Sequence, residues 1–346
     1  MNPPTRQMNA IPDISVVLPT YNRSANLRRT LASVLDQRAT TRRYEVIVVD
    51  NNSTDGTRTE VENAITRGAP VRYVLEPNQG VSYARNAGVR VACAPLVAFV
   101  DDDVCVDRDW IETICRAFEQ HPDLDCVGGK VLPAWEAQPP PWLTRDHWAP
   151  VALLDFGDTA RGINAENRLC LLTANFACRR EIFERVGLFG TELQRVHDGI
   201  GSMEDHEWLL RFWAAGRQGM YVPELTAITD VPLRRMTRGY HRRWHSGHGH
   251  YFALVREPEF EASTRGRLFD IPAHVYRAAI QNAACWLVRL CRGDSAGAFL
   301  FETRLRFLMG YFRTRVADYI RPVRRPAAVL PRESEDPQRN TRVAPS

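Results

Sequence analysis

The strongest limit on the fold comes early in the chain, where four short β-branched and aliphatic runs are separated by helical patterns. Ile14-Ser15-Val16-Val17-Leu18, Glu45 to Val49, Val71 to Leu75 and Leu96 to Val100 have the length and composition of buried strands. Between them, Leu27, Leu31, Val34 and Leu35 recur at helical spacing, Thr57-x-x-Glu60 reads as a capping box, and a third helix is expected from about Val81 to Ala92. Apolar strands that alternate with helices are covered on both faces, which calls for a mostly parallel sheet. Ligands of such sheets sit beyond the carboxyl ends of the strands. Asp50 and Asp101-Asp102-Asp103 stand at two of those ends.

Several chemistries are excluded at once. A dinucleotide site needs Gly-x-Gly-x-x-Gly after the first strand, but Pro19-Thr20-Tyr21-Asn22-Arg23 occupies that place. Lys130 is the one lysine among 45 basic residues and lacks the glycine spacing of a phosphate-binding P-loop. His206-Glu207 opens like a zinc-protease motif, yet position 210 is Leu. The eight cysteines form no Cys-x-x-Cys pair, so free thiols of a reducing, cytoplasmic compartment are expected and zinc is not. A net charge of +4 is too balanced for a dedicated nucleic-acid binder. The residues before Ile14 are polar, and no apolar stretch has membrane-spanning length.

Three consecutive carboxylates after a buried strand repel one another, and a divalent cation with hard oxygen ligands, Mg²⁺ or Mn²⁺, offsets that repulsion. Further along, Pro133 to Trp148 is a proline- and tryptophan-rich connection. A strand is expected at Leu169–Leu172, helices at Arg180–Val186 and Glu204–Ala215, a strand at Arg217–Val222, and helices at Ala273–Cys291 and Ala296–Phe312. From Val231 to Arg325 there are 18 arginines against 7 acidic residues, a local balance of +11. The stripes Tyr276-Ile280-Ala284-Leu287-Cys291 and Leu300-Arg304-Phe307-Tyr311 suit either packing on the rest of the chain or an anionic membrane surface.

These residues carry a resemblance. Val16 to Arg23, Val48 to Thr57, Gly80 to Gly88, Asp101 to Asp103, Asn175 to Arg180, Gly187-Leu188-Phe189 and Glu204-Asp205 follow in the order of a family 2 glycosyltransferase, over about residues 14–225. The resemblance implies a GT-A fold and inverting, metal-assisted transfer from a nucleotide-sugar donor to a hydroxyl of a glycan, glycolipid or lipid-linked saccharide. It implies that Pro19 and Tyr21 line the nucleobase pocket and that Asp50 accepts from the base. Arg85 would lie near base or diphosphate and Asp101 at the ribose, and Asp103, with Asp102 beside it, would hold Mn²⁺ or Mg²⁺. Asp205 would be the general base, favoured as a carboxylate by the start of its helix, with Glu204 the second choice.

Residues 1–13 are then a flexible start, 14–230 the glycosyltransferase domain, 231–320 a basic helical extension and 321–346 a disordered tail. Within the domain, 14–132 is the nucleotide-binding half, 133–167 the connection and 168–230 the acceptor half. The expected setting is polysaccharide biosynthesis in the cytoplasm or peripherally at the inner membrane face. Where many relatives carry a histidine that joins the metal site, this chain has Thr229-Asp230-Val231-Pro232, and Asp230 is a substitute ligand or has no role. His245-x-x-His248-x-His250 either approaches the donor phosphates or, the commoner case, is a flexible Gly-His loop. Trp135, Trp142 and Trp148 serve either as sugar platforms or as anchors for the connection. The rival readings are a nucleotidyltransferase acting on a sugar phosphate, which lacks its phosphate loop here, and a non-catalytic binding module.

Overall fold

The computed structural model describes residues 11–38, 41–192, 203–261 and 266–321. The chain opens β1 (Ile14–Thr20), α1 (Ser24–Leu35), β2 (Tyr44–Asp50), α2 (Thr57–Thr66), β3 (Val71–Leu75), α3 (Val81–Val91) and β4 (Leu96–Phe99). β1 and β4 are buried throughout, as their unbroken apolar sequences require. α3 packs on β1 and β2, and α2 on β3. One local expectation fails. Thr57 is the first residue of α2, with Asp55 Oδ1 accepting from its amide at 3.0 Å, while Glu60 is drawn away by Arg28. The short Asp side chain, two residues ahead, takes the role that the capping box would have filled.

The chain continues through β5 (Val104–Val106), α4 (Trp110–Gln120), β6 (Cys126–Trp135), β7 (Arg161–Ile163), β8 (Phe176–Arg179), α5 (Ile182–Val186), α6 (Glu204–Ala214) and β9 (Gly219–Val231). The sheet order is β3-β2-β1-β4-β8-β6-β9-β5, with β7 also on β9. The pairs from β3 to β4 are parallel; beyond β4 the sheet is mixed, since β8 runs antiparallel to both β4 and β6. β1 lies between β2 and β4, so the chain order reverses there and a crevice opens at the carboxyl ends of these strands. The strand expected at Leu169–Leu172 does not form. Both edges of β6 are taken by β8 and β9, and these residues run irregularly into a 3-10 turn at Thr173–Asn175. β9, in turn, extends well past Val222 because it pairs with β6 along one edge and with β5 and β7 along the other.

The last part holds α7 (Arg238–Val255), α8 (Pro258–Glu261), β10 (Arg267–Leu268), β11 (Ile271–Pro272), α9 (Ala273–Cys291) and α10 (Ser295–Ile320). The His245 to His250 run is helical, inside α7, rather than a loop. The reason lies in its glycines. A Cβ on Gly249 would stand 1.9 Å from the Phe307 carbonyl oxygen, and one on Gly310 2.0 Å from that of Ser246. α7 and α10 therefore touch backbone to backbone, and packing overrides the poor helix propensity of glycine.

One apolar core runs from β1 to Val255 of α7 and Phe299 of α10, so it is continuous across Val231. Trp142 belongs to it, edge-on to His241 at 4.9 Å and to Phe299 at 4.8 Å, which favours the anchoring role over the sugar platform. Trp135 and Trp148 are half-buried against the same core. Among the described residues no helix is long and apolar enough to cross a membrane. The expectations for residues 1–10 and for the tail after Arg321 lie outside the described residues.

Candidate active site

Two loops close over the carboxyl ends of β1 and β2. Asn22 and Asn52 adopt left-handed backbone (φ 52° and 65°), a conformation that asparagine tolerates. Asn22 Oδ1 accepts from the Thr54 amide at 2.7 Å, and the Ser24 amide donates to Asp55 at 2.9 Å, so the loops are stitched together. Asn51 donates to the Glu76 and Asn78 carbonyls and accepts from the Gly80 amide, fixing the entry to α3. Asp50 is buried, with Tyr73 Oη donating at 2.8 Å and the Ser53 amide at 2.8 Å. Pro19 is buried within β1, and Tyr21, 48% exposed, is the aromatic ring that opens to solvent here.

The three carboxylates after β4 diverge. Asp101 receives Arg85 at 3.0 Å. Asp102 is buried, accepts from Thr20 Oγ1 at 2.9 Å and pairs with Arg23 at 2.9 Å. Burial raises its pKa to about 6, with Arg23 pulling the other way. Asp103 also pairs with Arg23, at 2.9 Å, and Arg235 stands 3.9 Å away. The repulsion that the sequence assigned to a cation is thus met by arginines. No group of three or more His, Cys, Asp or Glu among the described residues is arranged to hold a metal alone. Asp103 keeps one oxygen without a hydrogen bond among those residues, since Arg23 takes only Oδ2. Such a hard, single-oxygen donor fits a cation shared with a ligand's phosphates, not one caged by protein.

Arg85, 4% exposed on α3, is the hub of the site. Its guanidinium reaches Asp101 at 3.0 Å, Glu204 at 3.2 Å and Asp205 at 3.3 Å, and lies 5.9 Å from the Phe189 ring. Burial opposes the Arg85 charge, but Asp205, Asp101 and Glu204 outweigh it and its pKa is raised. Asn86 exchanges two hydrogen bonds with the Phe189 backbone, which ties α3 to the segment before α6. Glu204 and Asp205 form the first turn of α6, where the helix dipole favours negative charge. Asp205 accepts from Thr173 Oγ1 at 2.9 Å and remains a fifth exposed. Burial raises its pKa to about 6, with Arg85 opposing. An ionised carboxylate of that pKa accepts a proton more readily than an ordinary aspartate.

Asp101, Arg85 and Asp205 are therefore brought into one network, and Asp102 and Asp103 into an adjoining one through Arg23. Arg85 does not present a free guanidinium to a donor; its arms are spent on carboxylates. Asp230 pairs with Arg29. His245, His248 and His250 face the helical region: burial drives the His245 pKa down to about 3, His248 stacks on Trp244, and His250 bonds Thr314. Thr173, Arg23 and Arg235 were not anticipated. Arg23 sat within the opening motif and was legible as a neighbour of Tyr21, whereas Thr173 and Arg235 have no local signal.

Comparison with known proteins follows the same lines. A family model described as Glycosyl transferase family 2 matches residues 15–187, half of the 346-residue chain. A glucosyl-dolichyl phosphate glucuronosyltransferase of Haloferax volcanii is 31% identical over 192 residues, covering 54% of this chain and 58% of its own. A validoxylamine A glucosyltransferase of Streptomyces hygroscopicus subsp. jinggangensis is 40% identical over 109 residues, 31% of this chain and 26% of its own. The chain thus spans between about a quarter and three-fifths of the length of these curated relatives. Among solved structures, the mannosyltransferase PcManGT of Pyrobaculum calidifontis, in complex with GDP-Man and Mn²⁺, aligns with a TM-score of 0.54 at 19% identity, covering 86% of this chain and 88% of that one. S. aureus TarS 1–349 in complex with UDP aligns at 0.51 and 17%, covering 89% and 91%. At such identities the likeness establishes the fold, a GT-A-like α/β sheet with a helical C-terminal region.

Proposed function

The chain belongs to glycosyl transferase family 2 and is a glycosyltransferase, and from that premise we propose that it transfers a sugar with inversion from a nucleotide-sugar to a hydroxyl. The observation that carries this reading is Arg85, which couples Asp101 on the strand-end side to Asp205 at the start of α6. A donor set against Asp101 and an acceptor set against Asp205 would meet across one fixed guanidinium.

In this reading Asp205 takes the acceptor hydroxyl's proton as the oxygen attacks the anomeric carbon. Thr173, donating to Asp205, orients the carboxylate, and the pKa near 6 keeps it both ionised and basic at neutral pH. Pro19 and Tyr21 flank the nucleobase, Asp50 accepts from it, and Asp101 binds the ribose. Arg85 serves the donor through Asp101 and not by direct contact. Asp103, with Asp102 behind it, would hold Mn²⁺ or Mg²⁺. Held there, such an ion would supply stabilisation of the charge that develops on the departing diphosphate. The acceptor is read as a saccharide or lipid-linked saccharide, with the enzyme peripheral at the inner membrane face. The Haloferax relative, named for a glucosyl-dolichyl phosphate, supports that choice.

The test is a panel of nucleotide-sugars with a saccharide or lipid-linked saccharide acceptor, with and without Mn²⁺, scoring nucleotide release and the anomeric configuration of the product. Transfer with inversion is expected. Retention of configuration, or release of a sugar 1-phosphate, would overturn the reading.

A further inference from the structure

α9 is a nineteen-residue helix of which Val275 is the single fully buried residue. Its inner side packs on α10, where Tyr276 meets Phe312 at 5.0 Å. The side turned away from Val275 is apolar and open, with Tyr276 at its border. Ile280, Ala284, Leu287, Val288 and Cys291 fall at i, i+4, i+7, i+8 and i+11, one continuous face. Ile280 is 72% exposed and Leu287 54%. The second stripe expected from sequence does not share this surface: Tyr311 is fully buried and Phe307 packs toward α7.

Charge decides what covers the face. From Ala273 to Arg292 there is no acidic residue; Arg277 continues the apolar stripe at its N-terminal end and Arg292 flanks it beside Cys291, while Arg289 lies on another side of the helix. Arg289 pairs with Asp294 in the following turn; Arg277 and Arg292 have no acidic partner among the described residues. A second copy of the chain, docked face to face, would bring the same arginines together with nothing to neutralise them. An anionic lipid surface complements both parts, because the stripe enters the acyl boundary while the arginine stems extend to the headgroups.

We propose that α9 lies in the plane of an anionic bilayer surface, with the Ile280–Leu287–Cys291 face inserted and Arg277 and Arg292 at the phosphates. The surface is separate from the proposed active site; the inference rests on the peripheral membrane setting proposed above and locates it. Loss of vesicle binding with transfer intact would fail this inference without touching the glycosyl-transfer reading. The experiment is sedimentation of the full chain with phosphatidylcholine vesicles, with and without about 30 mol% phosphatidylglycerol, at low and high salt. Binding is expected on anionic vesicles at low salt and release at high salt. Ile280→Gln/Leu287→Gln/Val288→Gln should weaken it by at least about tenfold, with melting temperature unchanged because these side chains are exposed. Arg277→Gln/Arg292→Gln should weaken binding to anionic vesicles by about tenfold. Equal binding by the triple variant, or no binding at low salt, overturns the proposal. A wild-type dimer that the triple variant abolishes would assign the face to a second copy and overturn it too.

Discussion

At the carboxyl edge of the sheet, charge is taken inside; along α9, apolar surface is left outside. Each departs from the usual partition, and each is bounded by the opposite kind of group. The buried charges of Arg85 and Glu204 are paired with each other, and Arg85 also meets the partly exposed Asp101 and Asp205, which makes the burial tolerable and fixes the geometry. The open face of α9 has no protein partner among the described residues, and Arg277 and Arg292 beside it have no acidic partner among them either. An interior that holds charge must complete its pairs from the chain itself, whereas a surface helix can leave completion to something else.

The comparison breaks most sharply at Asp205. Asp205→Asn keeps the shape and removes the proton affinity, so transfer should fall by about 10²- to 10⁴-fold while donor affinity survives. Glu204→Gln should cost less. Calorimetric donor titration beside initial rates checks both, and near wild-type transfer by Asp205→Asn would move the base elsewhere. Arg85→Met should cost stability, not only rate, because Glu204, Asp205 and Asp101 would be left without their shared cation. About 3 to 5 kcal/mol of unfolding free energy is expected in a urea titration. Asp103→Asn should fold normally and lose the Mn²⁺-dependent part of the thermal stabilisation by nucleoside diphosphate, worth about 2.7 kcal/mol at a hundredfold excess over Kd. Equal stabilisation of wild type in EDTA and in Mn²⁺ would remove the metal from the reading.

Acid separates the carboxyl edge from a third region, the buried histidines of α7, because the two respond with opposite signs. Asp102 and Asp205 have folded pKa values raised to about 6, above the unfolded range near 3.9, so folding takes up protons as pH drops through 6 and the cost of their burial is relieved. Transfer should decline over the same window as Asp205 is protonated. His241 and His245 on α7 go the other way. Burial lowers their pKa values to about 4 and about 3, below the unfolded 6.5, so stability present above pH 6.5 is lost as pH falls. Roughly 2 kcal/mol per histidine is expected by pH 5. Melting curves of His245→Leu and wild type between pH 7 and pH 5 check this, since the variant should show the flatter dependence.

Much of the nucleotide-side half was legible because its strands are unbroken apolar runs and its helices have a regular apolar period. The bounds expected for α9 also coincide with those observed. α7 was not legible. Its sequence spaces histidines, arginines and glycines where an amphipathic helix would place leucines, and its stability comes from the glycine contacts with α10. The failed strand at Leu169–Leu172 has the right residue types and no free partner. At the site, the residues proposed for catalysis were identifiable as types at strand and helix ends. Their mutual arrangement was not, because Arg85 meets Glu204 and Asp205 across 119 and 120 residues of chain. Nor did the local sequence indicate that Arg23 and Arg85 already pair with the three carboxylates.

Trp142 has a consequence for any attempt to dissect the protein. Its ring, from the proline-rich connection, is clasped by His241 of α7 and Phe299 of α10. A chain shortened after Val231 would bare that ring and free the Pro150 carbonyl that Tyr240 holds, and such a fragment is expected to aggregate. Chimeras meet the same restriction. Helices grafted from a relative would need the matching part of the connection around Trp142 and Pro150 to come with them, although the sheet strands lie between the two in sequence.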